Sequence, residues 1–324
     1  MKNLSTLLLV FLLAPAAVFG QGIDLVQIFR PGIKLGGEYI PKADFKSGAA
    51  LADSATFGAM RGNVQIIVPL KSRFEISLKN IDVRAKQSFW TINASYRQPK
   101  FSNMQRTREL YSFSTGITGV KAGLRSGLWF YTVQVGMNED LKTFGQWRPT
   151  AGGLVAKLHI ASLSSAFIYG IGGFYNNKQF LPVPILGYFK RFSRKSNFML
   201  VLPAQIRFGY TPSKSVRLSW QASPAGFFSG FSNAPDTLFT SKGQRLLMSY
   251  RQIKLSMALT VRFSKNARLL LEGGYLSARQ IRFSDADNNR LAKYKIEPTP
   301  FAGFTLQLNL GKALLDSQDF GVEL

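Results

Sequence analysis

The 324-residue chain has no cysteine, a single histidine, and only 17 Asp and Glu against 41 Lys and Arg. Without cysteine there is no lipid-anchored Cys at a cleavage site, no disulfide framework and no thiolate metal site. One imidazole cannot build a transition-metal centre of the usual kind, so no metal and no cofactor are expected. No apolar run reaches about 18 residues, so no helix is expected to span a membrane. Catalytic and phosphate-binding motifs are missing too. There is no G-x-S-x-G, and Gly311-Lys312 lacks the upstream glycine of a phosphate loop. The stretch Asp285 to Asn289, "DADNN", starts like a calcium loop but has Arg290 where the sharp-turn glycine belongs and Ile296 where the bidentate glutamate belongs. It reads as a solvated loop.

What the chain does have is alternation. From Ile253 to Phe263, apolar Ile253, Leu255, Met257, Leu259, Val261 and Phe263 interleave with Gln252, Lys254, Ser256, Thr260 and Arg262. Successive side chains of a strand point to opposite faces, so one face is apolar and the other polar to cationic. A helix would scatter the same residues around its axis. After the link Ser264-Lys265-Asn266, a second run carries Leu269, Leu271, Tyr275, Ile281 and Phe283, so two strands joined by a tight turn are expected. The rule recurs at Ile33–Tyr39 against Lys34 and Glu38, at Val64–Leu70 against Arg61, Asn63 and Gln65, and at Trp129–Met137 against Thr132, Gln134 and Asn138. It recurs again at Leu154, Ala156, Leu158 and Ile160 against Lys157 and His159, and at Phe304–Leu310 against Thr305, Gln307 and Asn309.

Alternation alone also fits a secreted, soluble all-β protein. The N-terminus favours a membrane barrel. "MKNLSTLLLVFLLAPAAVFGQG" has a basic start at Lys2, an apolar run from Leu7 to Leu13, and small residues Ala16, Ala17 and Gly20 ahead of Gln21. That is the pattern of a secretory signal, with an apolar run too short to span a bilayer. The expected organisation is a signal peptide over residues 1–20, a barrel over 21–313 and a tail over 314–324. A transmembrane barrel turns its apolar face to lipid and its polar face to a wet interior, with short turns at one end and long loops at the other. Aromatics such as Trp90, Tyr96, Trp129, Tyr131 and Phe263 fall on apolar faces or strand ends, as in an interfacial girdle. Together these features predict an all-β, closed antiparallel barrel at the cell outer membrane.

Twelve spanning segments are expected, near 28–41, 57–71, 86–101, 110–124, 128–142, 150–162, 165–177, 183–193, 214–231, 245–263, 267–283 and 299–313. Residues 72–85 and 194–213 stand where inner turns belong, and each has room for an extra strand or hairpin. Fourteen strands is therefore the alternative. Pro203 argues against an unbroken strand through "FMLVLPAQIRF", because proline cannot donate to the ladder.

The net charge is +24. A Lys or Arg at mid-depth on the lipid face costs about 2–4 kcal/mol. Lys34, Arg61, Lys157, Lys254 and Arg262 are therefore assigned to the interior face as candidate anion-attracting residues. Either they line an open cationic lumen, or they pair with Glu38, Glu139 and Glu272 inside a filled barrel. The expected partners are outer-membrane lipid including lipopolysaccharide, with small anionic solutes or envelope proteins. Nucleic acid is not expected, since no concentrated basic patch with stacking aromatics is visible. His159, assigned to the interior face, is the one candidate base for a lipid-acting enzyme, but no catalytic residue is named and the chain is read as a non-enzyme.

The stretches "ALADSATFGAMRGNVQIIVPL" and "FMLVLPAQIRFGYTPSKSVRLSWQASPAGFF", and the Gly-Tyr of "LLLEGGYLSARQIRF", together with the signal peptide resemble a family of uncharacterised outer-membrane β-barrel proteins common in Bacteroidota. The resemblance covers most of the mature chain. It implies location and fold and transfers no site residue. One departure is the C-terminus, where "ALLDSQDFGVEL" follows the last strand instead of a terminal aromatic. The functions expected are, in order, a channel or transporter favouring anions, a non-conducting structural or assembly barrel, and a lipid-acting enzyme using His159.

Overall fold

The computed structural model describes residues 31–46, 56–77, 82–102, 109–123, 127–139, 148–162, 164–176, 179–231, 246–285 and 289–310. The expected signal peptide, the tail and most of the long loops lie outside these residues. The described chain is all strand and turn. In order the strands are β1 (Gly32–Asp44), β2 (Thr56–Ser77), β3 (Asp82–Phe101), β4 (Leu110–Gly123), β5 (Gly127–Glu139), β6 (Arg148–Ser162), β7 (Ser165–Asn176) and β8 (Gln179–Arg191). They continue as β9 (Ser196–Leu202), β10 (Gln205–Ser213), β11 (Val216–Phe231), β12 (Leu246–Arg262), β13 (Ala267–Ser284), β14 (Arg290–Lys295) and β15 (Thr299–Asn309).

From β1 to β14 each strand pairs antiparallel with the next, and β15 pairs with β13 on one side and β1 on the other, so the sheet closes. β14 pairs with the Gln280–Ser284 end of β13 and β15 with its Ala267–Leu276 end, so the two segments form one interrupted stave. The fifteen strands thus make a fourteen-stave barrel. This corrects the expectation of twelve and matches the alternative, but the two extra staves have one source. Residues 194–213 fold as the β9–β10 hairpin, with Pro203 and Ala204 in its turn. Of residues 72–85, the described stretches 72–77 and 82–85 instead prolong the β2–β3 ladder down to Ser77 opposite Asp82. A further difference lies in the gap left between the segments expected at 165–177 and 183–193, where Asn176 pairs directly with Gln179 and β8 begins before Pro182.

Proline placement follows from its missing N–H. Pro99, Pro149, Pro182, Pro184 and Pro224 each have a cross-strand partner on one side only, because the neighbouring strand on the other side has already ended, and Pro300 pairs with Tyr275 of β13 alone, beyond the last β1–β15 pair, Tyr39 with Ala302. Pro41, Pro69 and Pro212 sit at shifts of register. Where the ladder needs a donor on both sides, the strands carry other residues. The wall is lowest at the β9–β10 hairpin. Leu202 pairs with Leu186 and Ile206 with Ala222, so β8 from Gln179 and β11 up to Phe231 run on above it.

The outward face is apolar over its middle. Val133 and Leu186 are each 61% exposed and Ile171 is 63% exposed, which suits a surface facing hydrocarbon. Trp129, Phe167 and Tyr210 flank that band towards the short-turn end, and Tyr39, Tyr111 and Tyr175 towards the long-loop end. The interior is not simply polar. One buried cluster (Phe57, Phe227, Tyr250, Leu276 and Phe283 among its members) fills the long-loop side between β1, β2, β11, β12 and β13. A second (Val120, Phe130, Leu158, Ile168, Ile185 and Val201 among them) fills the side formed by β4 to β9. Across the interior, β5 and β11 approach to within 8 Å between Cα atoms, so the bore is pinched between two lobes.

Candidate functional site in the barrel interior

The mid-depth of the interior carries an ion cluster set by register. On β1 and β13, Glu38 and Glu272 both lie opposite Gly303 of β15, one on each side. Gly303 has no side chain to fill the space between them, and a Cβ there would come 3.0 Å from the carbonyl oxygen of Gly37. Into that space Lys254 reaches from β12. Its Nζ donates to Glu38 Oε2 at 2.6 Å and to Glu272 Oε2 at 2.8 Å, and stands 4.3 Å from the centre of the Phe301 ring. The second oxygen of Glu272 accepts from Gln221 Nε2 and Ser256 Oγ, each at 2.7 Å. The three charged side chains are only 12–15% exposed. Next to Glu38 along the same row come Arg61 on β2 and then Arg97 on β3, whose guanidinium lies 5.4 Å from the Phe227 ring centre.

Above this cluster sits Arg279, only 2% exposed. Its Nε donates to the Tyr250 hydroxyl at 2.8 Å and its Nη1 to the carbonyl of Glu297 at 2.9 Å. Phe57 and Phe227 pack on Tyr250 with ring centres 5.0 and 5.4 Å away. Arg279 points inward because of a β-bulge. Arg251 pairs with Gln280 but Ile253 with Ser277, so two residues of β13 oppose one of β12, and Ala278 takes φ 48°. The bulge reverses which face odd-numbered residues occupy. Leu269, Leu271 and Tyr275 face outward, whereas Ile281 and Phe283, beyond the bulge, face the interior. Strict alternation would have put Arg279 on the lipid face with Tyr275, which its desolvation cost forbids. That conflict is the signal in the sequence from which the bulge could have been read.

Of the five cations assigned to the interior, Lys34, Arg61, Lys254 and Arg262 occupy interior positions, with Lys34 opposite Gln65 and Gln307, and Arg262 opposite Arg268 at the short-turn rim. Lys157 does not. Its β6 neighbours Ala156 and Leu158 are buried in the second apolar cluster, and register places Ala156 opposite Phe130. Lys157 therefore faces outward opposite Trp129, with Nζ 5.4 Å from the indole ring centre. Near a strand end a lysine can keep its ammonium at the interface while its stem stays in the apolar layer, so the mid-depth cost does not apply. His159 shares that outer face, opposite Phe167. Alternation in β6 left the choice of face open, and the apolar filling of the neighbouring interior decided it. The side chain of Glu139 lies outside the described residues. At the "DADNN" turn, Asp285 accepts from the backbone N–H and the Nδ2 of Asn289 at 2.8 and 2.9 Å, so its carboxylate closes the hairpin.

The family described as "Domain of unknown function (DUF6268)" matches residues 25–311. No curated protein matches the sequence. Among solved structures, the COG4313 outer membrane channel from Pseudomonas putida F1 is similar, with 8% identity and a TM-score of 0.45 over 86% of this chain and 97% of that one. The transport unit of the autotransporter AIDA-I from Escherichia coli gives 7% identity and a TM-score of 0.31 over 93% and 96%. The P. putida toluene transporter TodX gives 8% identity and a TM-score of 0.27 over 93% and 94%.

Proposed function

We propose that this chain, which belongs to the DUF6268 family, is an integral β-barrel of a bacterial outer membrane whose interior is shut at rest and opens as a gated passage for small anionic solutes. The apolar outward band between two aromatic girdles supports the membrane setting. The long-loop end is then the outer end. The observation that carries the gating is the Glu38–Lys254–Glu272 clamp under the Tyr250–Arg279 plug. A permanently open anion pore needs cations standing in water, whereas Lys254 is matched by two carboxylates. Arg61 and Arg97 beside the clamp leave its surroundings cationic, so the ions favoured on opening are anions. The seal is built from side chains of the wall strands themselves, so releasing the clamp changes the packing of the bore.

The test is planar-bilayer conductance of the refolded chain under a salt gradient. The unaltered protein should be mostly silent, while Glu38→Gln with Glu272→Gln should give discrete openings with an anion-favouring reversal potential. Silence in both would mean a non-conducting barrel acting through its surfaces, a second reading that the two packed apolar clusters favour. His159 lies opposite Phe167, and among the described residues no serine or carboxylate pairs with it, so no catalytic role is proposed for it.

A further inference from the structure

At the long-loop end, the bulge in β13 has a consequence on the outside of the wall. Tyr250, Ile281, Phe283 and Ile296 are all buried in the interior cluster, which turns their chain neighbours outward. Cross-strand pairing then sets out a grid of two rows on three adjacent staves. Ser249, Arg282 and Lys293 form the upper row, and Arg251, Gln280 and Lys295 the lower. Neighbouring strands lie about 4.8 Å apart and alternate residues about 7 Å apart. Four cations therefore occupy a patch of roughly 10 by 7 Å. Below it come Ser277 on β13 and the exposed Glu297, which pairs with Lys46 at 3.6 Å, and beneath these the three staves turn apolar at one height, with Leu255 of β12 opposite Tyr275 of β13 and Tyr275 opposite Pro300 of β15, and stay so down to Leu271 and Phe304.

We infer that this patch is a binding site for the phosphate groups of an outer-leaflet amphiphile, whose acyl chains lie on the apolar strip beneath it. Arg282 and Lys293 are direct cross-strand partners, and like charges so placed repel. An oxyanion seated between them replaces that repulsion with charge-assisted hydrogen bonds, and two guanidiniums supply the planar forks that phosphate oxygens fit. The continuous apolar strip below selects a lipid-borne phosphate over a free one. The inference rests on the membrane setting and orientation proposed above.

The test compares binding of bisphosphorylated lipid A and its dephosphorylated counterpart to the detergent-solubilised, folded chain. The phosphorylated form should bind at least tenfold more tightly. The variant Arg251→Gln, Arg282→Gln, Lys293→Gln, Lys295→Gln should lose that preference, on the order of fivefold per cation removed. Because all four side chains point out of the core, its heat-modifiability should stay that of a folded barrel, and the pair Lys293→Gln, Lys295→Gln, both on exposed positions, tests the same loss with less perturbation. A control removing outward lysines at the other end, Lys86→Gln, Lys121→Gln, Lys157→Gln and Lys190→Gln, should keep the preference. Equal binding by all variants, or equal loss in the control, overturns the site. Competition by inorganic phosphate at the same concentration as the lipid overturns the lipid assignment. The chain has no native cysteine, so Arg290→Cys can be labelled in intact cells with an impermeant maleimide. Labelling without lipid preference sinks this inference alone, while labelling only after lysis sinks the orientation it rests on.

Discussion

Beside β12, β13 and β1 the interior holds two glutamates, a lysine and a buried arginine under aromatic rings; beside β5, β6 and β7 it holds aliphatic side chains and the hydroxyl pair Thr118–Thr132 at 2.9 Å. Both sectors pack side chains into the bore, but by different physics. The aliphatic sector is held by area and shape, which respond weakly to the charge of any one residue. The charged sector holds only while each ion has its partner, because an uncompensated buried charge costs several kcal/mol. On the gated reading proposed above, the lock lies in the charged sector and the permanent packing in the other.

The largest effect expected from breaking this contrast is at Lys254. Lys254→Met leaves Glu38 and Glu272 facing each other without their cation and should cost about 3–5 kcal/mol. Urea unfolding of the vesicle-inserted barrel, read by heat-modifiability, measures it. Adding Glu38→Gln and Glu272→Gln to that variant should recover most of the loss, and a loss that persists in the triple variant would mean that Lys254 acts by packing alone. In the other sector, Phe130→Ala removes a ring 8% exposed and should cost about 3 kcal/mol. It should do so without raising conductance in the bilayer assay. If it opened the bore as readily as the glutamate variants, the division between lock and packing would fall. The smallest effect is at the hydroxyl pair. Thr118→Val should cost about 1 kcal/mol in the same unfolding measurement, and Thr118→Val with Thr132→Val should return close to the starting stability, since both partners are then apolar.

How far each sector could be read from sequence differs in the same way. Lys254 and Arg61 could be assigned to the interior because β12, and β2 around Arg61, keep strict alternation and lipid rejects a mid-depth charge. Glu38 and Glu272 were visible as pairing candidates, but not that Gly303 seats the lysine between them, because that depends on three staves in register. Lys157 and His159 were misassigned because β6 is apolar on its interior face, so a rule of polar inside and apolar outside picked the wrong side. Arg279 went unread because one bulge at Ala278 reverses the alternation of β13 beyond it, and Tyr250 because an aromatic ring on the interior face of β12, in line with Gln252 and Lys254, departs from the rule of polar inside. The β9–β10 hairpin showed in outline through Pro203, and its staves are short enough that period-two counting over spanning lengths passed them by.

The sequence by itself determined a closed antiparallel barrel with an apolar outer band, since alternation, turn spacing and the cost of charge in lipid are all local or additive along the chain. It also determined where prolines leave the ladder unpaired, because a missing N–H is a property of the residue. Only the tertiary structure decided the fourteen staves, the bulge that buries Arg279, the seating of Lys254 and the outward grid of Arg251, Arg282, Lys293 and Lys295. Those depend on which residues of distant strands come opposite one another, and a one-residue shift of register exchanges inside for outside without altering the composition of either face.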